Sequence, residues 1–179
     1  MSDFRTINRY ALSFFEYSSG LKKEQRAFDD AKLLLGVCAE NRELFLLLKN
    51  PVVRGIVKEN VLLKVFDKFF DQETKNFIRM LIDNKREDLL PEIFTRFVSL
   101  YKERNGIVEA EVKSAVPLQQ NEKDKITEYI KLATNSKSVE LNNIIDDKLI
   151  GGFAVKYHDM LLDISVKNKL NNLKKKFNY

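Results

Sequence analysis

The sequence predicts an α+β protein, with an N-terminal six-helix bundle followed by a small, sandwich-like α/β domain. Two observations support this prediction. Apolar residues recur at helical spacing through roughly the first hundred of the 179 residues. After Asn105-Gly106 the apolar period becomes two, as in a half-buried strand. We therefore predict the bundle over residues 1–105 and the α+β domain, with a mixed or antiparallel sheet, over residues 106–179.

Each predicted helix of the bundle has its own apolar stripe. The first spans about residues 3–18, Asn50-Pro51 ends the third, and Asp71 is placed to cap the fifth. Gly20 and Asn84 are expected to close the first and fifth helices. The stripes are Phe4, Ile7, Ala11, Phe14 and Phe15; Ala27, Phe28, Ala31, Leu34, Leu35 and Cys38; residues 44–48; Val57, Val61, Leu62, Val65, Phe66 and Phe69; Phe77, Ile78, Leu81 and Ile82; and Leu90, Ile93, Phe94, Phe97 and Tyr101.

The C-terminal part begins with a strand over residues 108–116, in which apolar side chains alternate with Glu109, Glu111 and Lys113. Pro117 ends this strand, and a helix follows over residues 119–134. Further strands are expected at residues 138–145, 152–157 and 160–166. A last helix would place Val166, Leu170, Leu173 and Phe177 along one side.

Composition narrows the class of protein. The formal net charge is +5, but Lys and Arg are interspersed with Asp and Glu, which is typical of solvated helix faces and not of a phosphate-binding stripe. The single cysteine excludes an internal disulfide and a multi-cysteine zinc site. Because no segment approaches the roughly 18 apolar residues of a membrane span, and the N-terminus has no targeting pattern, we expect a cytosolic protein or one peripheral on a cytosolic membrane face.

The sequence offers no set of residues suited to catalysis, to a cofactor or to a metal. His158 is expected in an exposed turn, and Cys38 on an apolar stripe, where it acts as a small buried hydrophobe. Gly151-Gly152 is more typical of a bend between strands than of a phosphate cradle, because no helix N-terminus follows it. The run Lys174-Lys175-Lys176 fits a solvated helix end, with weak attraction to an acidic partner or lipid as the alternative.

Several segments together resemble one known family over essentially the whole chain. The most specific is the block from Asp146 to Val155 that contains Gly151-Gly152, continued by the segment from Asp163 to Leu170. The others are Arg9-Tyr10-Ala11-Leu12-Ser13-Phe14-Phe15-Glu16, Lys49-Asn50-Pro51, Asn76-Phe77-Ile78-Arg79-Met80-Leu81 and Ala115-Val116-Pro117-Leu118. These segments resemble the delta subunits of F-type ATP synthases, the bacterial counterparts of the mitochondrial oligomycin sensitivity-conferring protein. Gln119 and Ile164 depart from the family pattern, which has Ser or Thr and Gly there.

This resemblance implies a non-catalytic peripheral-stalk (stator) subunit without a cofactor, on the cytoplasmic side of the bacterial cell membrane. It would link the N-terminal helix of an alpha subunit in the catalytic head to the C-terminal region of the b-subunit stalk, so that the head resists rotational torque. Helices one and five form the alpha-binding groove in the family, which by position implies Tyr10, Ser13, Phe14, Asn76 and Met80. A role for Phe14 in the internal core is equally open. The b-subunit contact would include Phe153 and Val155.

Two other classes of function remain as alternatives. The sequence pI of about 9.1 allows a basic helical adaptor that binds RNA or a ribosome-associated partner. That alternative predicts a one-sided basic patch and strongly salt-dependent binding, whereas the stator prediction involves protein partners and no nucleic acid. An unrecognised enzyme would need a concave polar site, which the sequence does not supply.

Overall fold

The computed structural model describes residues 2–146, 149, 151–157, 160–163 and 168. Within these residues, six α-helices precede the first strand and a seventh connects the first two strands, which confirms the predicted α+β class and the order of its elements. A 3₁₀ helix, Glu87–Leu89, lies just before α6. The elements are α1 (Ser2–Gly20), α2 (Glu24–Glu40), α3 (Arg42–Lys49), α4 (Gly55–Phe66), α5 (Gln72–Asp83), α6 (Leu90–Asn105), β1 (Ile107–Ser114), α7 (Gln120–Thr134), β2 (Ser138–Ile145), β3 (Phe153–Tyr157) and β4 (Met160–Asp163).

The chain forms two compact units, of which one ends at Tyr101 and the other begins at Lys102. The predicted division between residues 105 and 106 stays a prediction. In the described part of the chain, every helix is too short or too polar to cross a bilayer.

The core of the N-terminal unit is built around aromatic rings. The Phe14 ring of α1 stacks on Phe77 of α5, with 4.1 Å between ring centroids, and lies 4.7 Å from Phe97 and 5.8 Å from Phe94 of α6. Such ring pairs contribute beyond the apolar area that they bury. One side chain of α1 therefore joins three helices.

The helix ends follow the sequence signals only in part. The N–H of Gln72 donates to the Asp71 carboxylate at 3.0 Å, so the predicted cap of α5 is confirmed. α1 ends at Gly20, as predicted, although the left-handed residue that follows it is Lys22, with φ of 56°. The left-handed exit expected at Asn84 is wrong, because the left-handed residue there is Lys85, with φ of 55°. At α5 the cause is local: the side-chain amide of Asn84 donates to the Met80 carbonyl at 2.7 Å, which keeps Asn84 near helical geometry.

The apolar stripe predicted for α4 divides between two sides of the helix. Leu62 and Phe66 are buried as expected, and they share the inner side with Lys58, which is 1% exposed. Val57 and Val65, by contrast, are about half exposed. The predicted apolar run is therefore only partly buried in this helix.

The C-terminal unit contains a mixed four-stranded sheet of order β2-β1-β3-β4. β1 pairs in parallel with β2 and antiparallel with β3, and β4 pairs antiparallel with β3. α7 makes the crossover between the two parallel strands, and its first turn is tied by the Gln119 N–H, which donates to the Glu122 carboxylate at 2.9 Å. The buried residues of this unit are Val108, Ala110, Val112, Leu118, Ile126, Ile130, Val155 and Tyr157.

Some sequence predictions fall outside the described residues. They are the turn at His158, the end of the last strand beyond Asp163, the run Lys174-Lys175-Lys176, and the last helix apart from Asn168.

Candidate functional site

A groove between α1 and α5 is the first candidate site. It encloses a cavity of about 240 Å³ lined by Ser13, Tyr17, Asn76, Phe77 and Met80. Ser13 and Asn76 are exposed, Met80 is half-buried, and Phe77 is buried. The groove thus combines an apolar floor with a hydroxyl and an amide at its rim.

Helical spacing explains how these side chains meet. Ser13 and Tyr17 are four residues apart on α1, and Asn76 and Met80 are four apart on α5, so each pair lies on one face of its helix. The stacked rings of Phe14 and Phe77 hold the two helices together beneath the cavity. Tight packing below and unfilled space above is the arrangement expected of a preformed groove.

The five predicted groove residues do not all lie in the groove. Ser13, Asn76 and Met80 line the cavity. Tyr10 is half-buried and lies outside that lining, with the Arg9 guanidinium carbon 5.4 Å from its ring centroid. Phe14 is 0% exposed, so it belongs to the internal core and not to the surface of the groove. Whether any of these residues contacts a partner stays a prediction.

Sequence reasoning missed Tyr17, which lines the same cavity and is 45% exposed. The signal was present, because Tyr17 follows Ser13 by four residues and Tyr10 by seven, which places all three on one side of α1.

The N-terminal turn of α5 is fixed to α2 by a buried carboxylate. Asp30 accepts the N–H of Asp71 at 2.9 Å and the Thr74 hydroxyl at 2.7 Å. The nearest atoms of the Arg26 guanidinium and the Asp30 carboxylate are 3.8 Å apart. Burial raises the pKa of the Asp30 carboxyl, and the hydrogen bonds from Asp71 and Thr74 oppose this shift. Asp30 therefore acts as a cap supplied by a neighbouring helix, and it orients the wall of the groove that carries Asn76.

We expect the stability of an Asp30→Asn variant to depend differently on pH from that of the wild type. Because the Asp30 pKa is raised in the folded state, its favourable contribution is complete below the unfolded pKa of about 3.9 and is lost as pH rises through the folded pKa. Asparagine does not titrate. Urea unfolding of both proteins between pH 7 and pH 4 should show the stability difference shifting in favour of the wild type as pH falls. Parallel curves would contradict the raised pKa.

A second cavity, of about 260 Å³, lies in the C-terminal unit between α7 and strands β3 and β4. Phe153, half-buried, and Val155, 1% exposed, both line it. Leu162 pairs with Val155 across the two strands and lies on the same face. Lys125, Ile126 and Tyr129 form the helical wall. The two residues predicted for the b-subunit contact are thus brought together, with Val155 recessed in the cavity.

The basic side chains of the described residues are often paired with carboxylates. Pairs of this kind neutralise one another, so they do not form a phosphate-binding stripe. No group of His, Cys, Asp and Glu suited to hold a metal occurs among the residues that the structure describes. The pairs include Lys23 with Asp71 and Glu73, Lys49 with Glu92, Lys58 with Glu87, Lys75 with Asp67, and Lys102 with Glu109 and Glu140.

Comparison with known proteins gives a consistent result. Residues 7–177 match the family described as the ATP synthase delta (OSCP) subunit. The chain is 34% identical to ATP synthase subunit delta of Chlorobaculum parvum, over 97% of this chain and 96% of the relative. It is 33% identical to the protein of the same name in Flavobacterium psychrophilum, over 98% of each chain. The chloroplastic ATP synthase delta chain of Chlamydomonas reinhardtii is 32% identical, over 92% of this chain and 75% of that protein.

A solved structure shares the fold. A chain of the cryo-EM structure of the Toxoplasma gondii mitochondrial ATP synthase hexamer superposes with a TM-score of 0.73, at 18% sequence identity and over 97% of both chains.

Proposed function

Because this chain belongs to the ATP synthase delta (OSCP) subunit family, we propose that the groove between α1 and α5 and the cavity beside α7 bind two different subunits of that enzyme. The chain is a non-catalytic subunit of the peripheral stalk of an F-type ATP synthase. The family gives no support to the alternative of an RNA-binding adaptor. In the assembled enzyme the protein lies on the cytoplasmic side of the bacterial cell membrane, and it is attached to the membrane only through the complex.

The groove between α1 and α5 binds the N-terminal helix of an alpha subunit. The observation that supports this most directly is the apolar cavity of about 240 Å³ with Ser13 and Asn76 at its rim. An amphipathic helix lays apolar anchors into such a groove and makes hydrogen bonds at the edges. The Asn76 amide can both donate and accept, so it can bind a polar side chain or an end of the partner helix. Phe77 and Met80 supply the apolar contact that disfavours release.

The cavity beside α7 binds the C-terminal region of the b subunit. Phe153, Leu162 and Tyr129 give it an apolar surface, and the Lys125 ammonium can reach a carboxylate on the partner. A connection through two sites keeps each partner at high effective concentration when the other contact opens. In this way a protein without catalytic groups holds the head against the torque of the rotating shaft.

Calorimetric titration of the full-length chain with a peptide of the host alpha subunit's N-terminal helix tests the first contact. We expect Met80→Ala and Tyr17→Ala each to weaken binding by about 10-fold, because each removes apolar surface from a preformed groove. Circular dichroism should show unchanged helicity, since neither side chain is fully buried. Leu132→Ala is the control, because Leu132 is an 80% exposed apolar residue of α7.

Wild-type binding that neither groove variant weakens would show that the peptide binds elsewhere. Absence of heat with the wild type at several temperatures would contradict a groove that binds the isolated helix.

A further inference from the structure

An apolar seam runs along the outer side of α4 and into the turn that follows it. We define the α4 seam as Val57, Val61, Val65 and Phe69, which are spaced four residues apart. Val57, Val65 and Phe69 are 45%, 47% and 57% exposed, and Val61 is half-buried. The N–H of Phe69 donates to the Phe66 carbonyl at 2.9 Å, so a hydrogen-bonded turn carries its ring on from the end of the helix. The periodic pattern seen in the sequence is thus presented outward.

α4 carries apolar side chains on its exposed side as well as on its buried side. The inner side carries the charged Lys58 with Leu62 and Phe66, while the outer side carries the valines of the seam. An ordinary surface helix has one apolar stripe, which faces the core, so a second and exposed stripe is unusual. Exposed apolar patches of several hundred Å² mark interaction sites in soluble proteins. Val57, Val65 and Phe69 of the seam are thus exposed and available to a partner.

A cavity of about 550 Å³ lies against the seam, and its lining residues indicate which kind of partner the seam can bind. Val65 and Phe69 of the seam line this cavity together with Leu63, which adds a third apolar wall. The remaining lining residues are Asn60, Lys64, Asp67 and Lys68. The carboxylate of Asp67 is held by the Lys75 ammonium at 2.8 Å. The rim therefore presents two ammonium groups, Lys64 and Lys68, against one carboxylate that is already bound.

We propose that the α4 seam is a second helix-docking surface, and that its occupant is an amphipathic helix with acidic residues along one edge. Val57 and Val65 are eight residues apart within α4, about 12 Å at the rise of an α-helix, and Phe69 extends the seam beyond the end of the helix, so the partner needs about three turns. Its apolar face would lie on the seam, and its carboxylates would meet Lys64 and Lys68. A second copy of this chain fits poorly, because a two-fold contact brings these lysines together. The seam belongs to α4, and the proposal does not depend on the groove between α1 and α5.

The test uses the full-length chain and a synthetic 18-residue helical peptide with leucines on one face and glutamates beside them. The comparison peptide has lysine in place of every glutamate. Fluorescence anisotropy should give at least about 10-fold tighter binding of the glutamate peptide, with a difference that decreases as salt is added. We expect Val65→Asp to weaken binding more than about 10-fold, and Lys64→Glu with Lys68→Glu to reverse the preference between the peptides.

Two variants serve as controls. Val52→Asp changes an aliphatic residue that is 86% exposed and outside the seam, and Met80→Ala changes the α1–α5 groove; neither should alter binding of the peptide. Urea unfolding of each variant separates loss of binding from loss of folding, and the lysine variants leave the apolar surface intact. Equal binding of both peptides, undiminished binding by Val65→Asp, or loss of binding by Met80→Ala would each overturn the proposal. A dimer seen by sedimentation equilibrium that Val65→Asp dissociates would also overturn it, because the occupant would then be a second copy.

Discussion

Replacing Phe14 by alanine is expected to lower the free energy of unfolding of the N-terminal unit by about 3–5 kcal/mol. The ring is 0% exposed and contacts Phe77, Phe94 and Phe97, so the substitution leaves a cavity where three helices meet. The surrounding rings are themselves buried and cannot move far to fill the space. Urea denaturation followed by far-UV circular dichroism measures the loss.

Two variants make this result interpretable. Leu12→Ala alters a partly exposed residue of the same helix, and it should change stability much less than Phe14→Ala. Phe14→Leu keeps an apolar side chain and should be intermediate between alanine and the wild type. A Phe14→Ala protein with wild-type stability but weakened binding of the alpha-subunit peptide would contradict the core position and favour direct contact with the partner.

The sequence predicted the parts of the fold that depend on local pattern. The change of period after Asn105-Gly106 separated helices from strands, and the structure gives the physical reason. Gly106 has φ of 65°, a left-handed conformation that suits glycine, and its carbonyl accepts the N–H of Lys137 at 2.9 Å. Cys38 is buried as predicted, at the end of the α2 stripe, and burial raises the pKa of its thiol. The change of period and the burial of Cys38 both follow from residues close together in the chain, whereas the hydrogen bond from Lys137 joins Gly106 to a residue far along the chain.

The orientation of α4 could not be predicted from its own residues. Its apolar side chains form two stripes, and spacing alone does not indicate which stripe faces the core. The structure buries the stripe that contains Lys58, and this lysine binds Leu48 and Glu87 on the inner side of the helix. These two partners lie 10 and 29 residues away from Lys58 in the chain. A prediction from the residues of the helix alone contains no information about such distant partners.

The candidate groove was predicted only in part for a related reason. Ser13, Asn76 and Met80 share the cavity, but their residue types alone do not distinguish a groove from an ordinary surface. Phe14 and Tyr17 follow Ser13 by one and four residues, yet Phe14 is in the core and Tyr17 lines the cavity. A rotation of α1 by a fraction of a turn separates these outcomes, and that rotation is set by packing of Phe14 against Phe77. Contacts between distant elements therefore decide which residues are available to a partner.

A buried ion pair at Lys58 joins α3, α4 and the 3₁₀ helix that precedes α6. The ammonium donates to the Leu48 carbonyl at 2.9 Å and to Glu87 Oε1 at 3.1 Å. Lys58 is 1% exposed, and the Glu87 side chain is 14% exposed. Glu87 Oε2 is buried without a hydrogen-bond partner among the described residues. The charge of Glu87 thus depends on Lys58 for its compensation.

Lys58→Ala is accordingly expected to lower the free energy of unfolding by about 3–5 kcal/mol, because it leaves a buried carboxylate without its counter-charge. The Leu48 carbonyl loses its donor at the same time, which adds the cost of an unsatisfied acceptor. Replacing both partners, as Lys58→Met with Glu87→Met, should recover most of the loss, since an apolar pair of similar volume carries no buried charge. Lys68→Ala, at an exposed lysine of the same region, is the control and should change stability by less than about 0.5 kcal/mol. Urea unfolding of the four proteins measures these differences. A loss below about 1 kcal/mol for Lys58→Ala would show that water reaches Glu87 and that the pair contributes little to the fold.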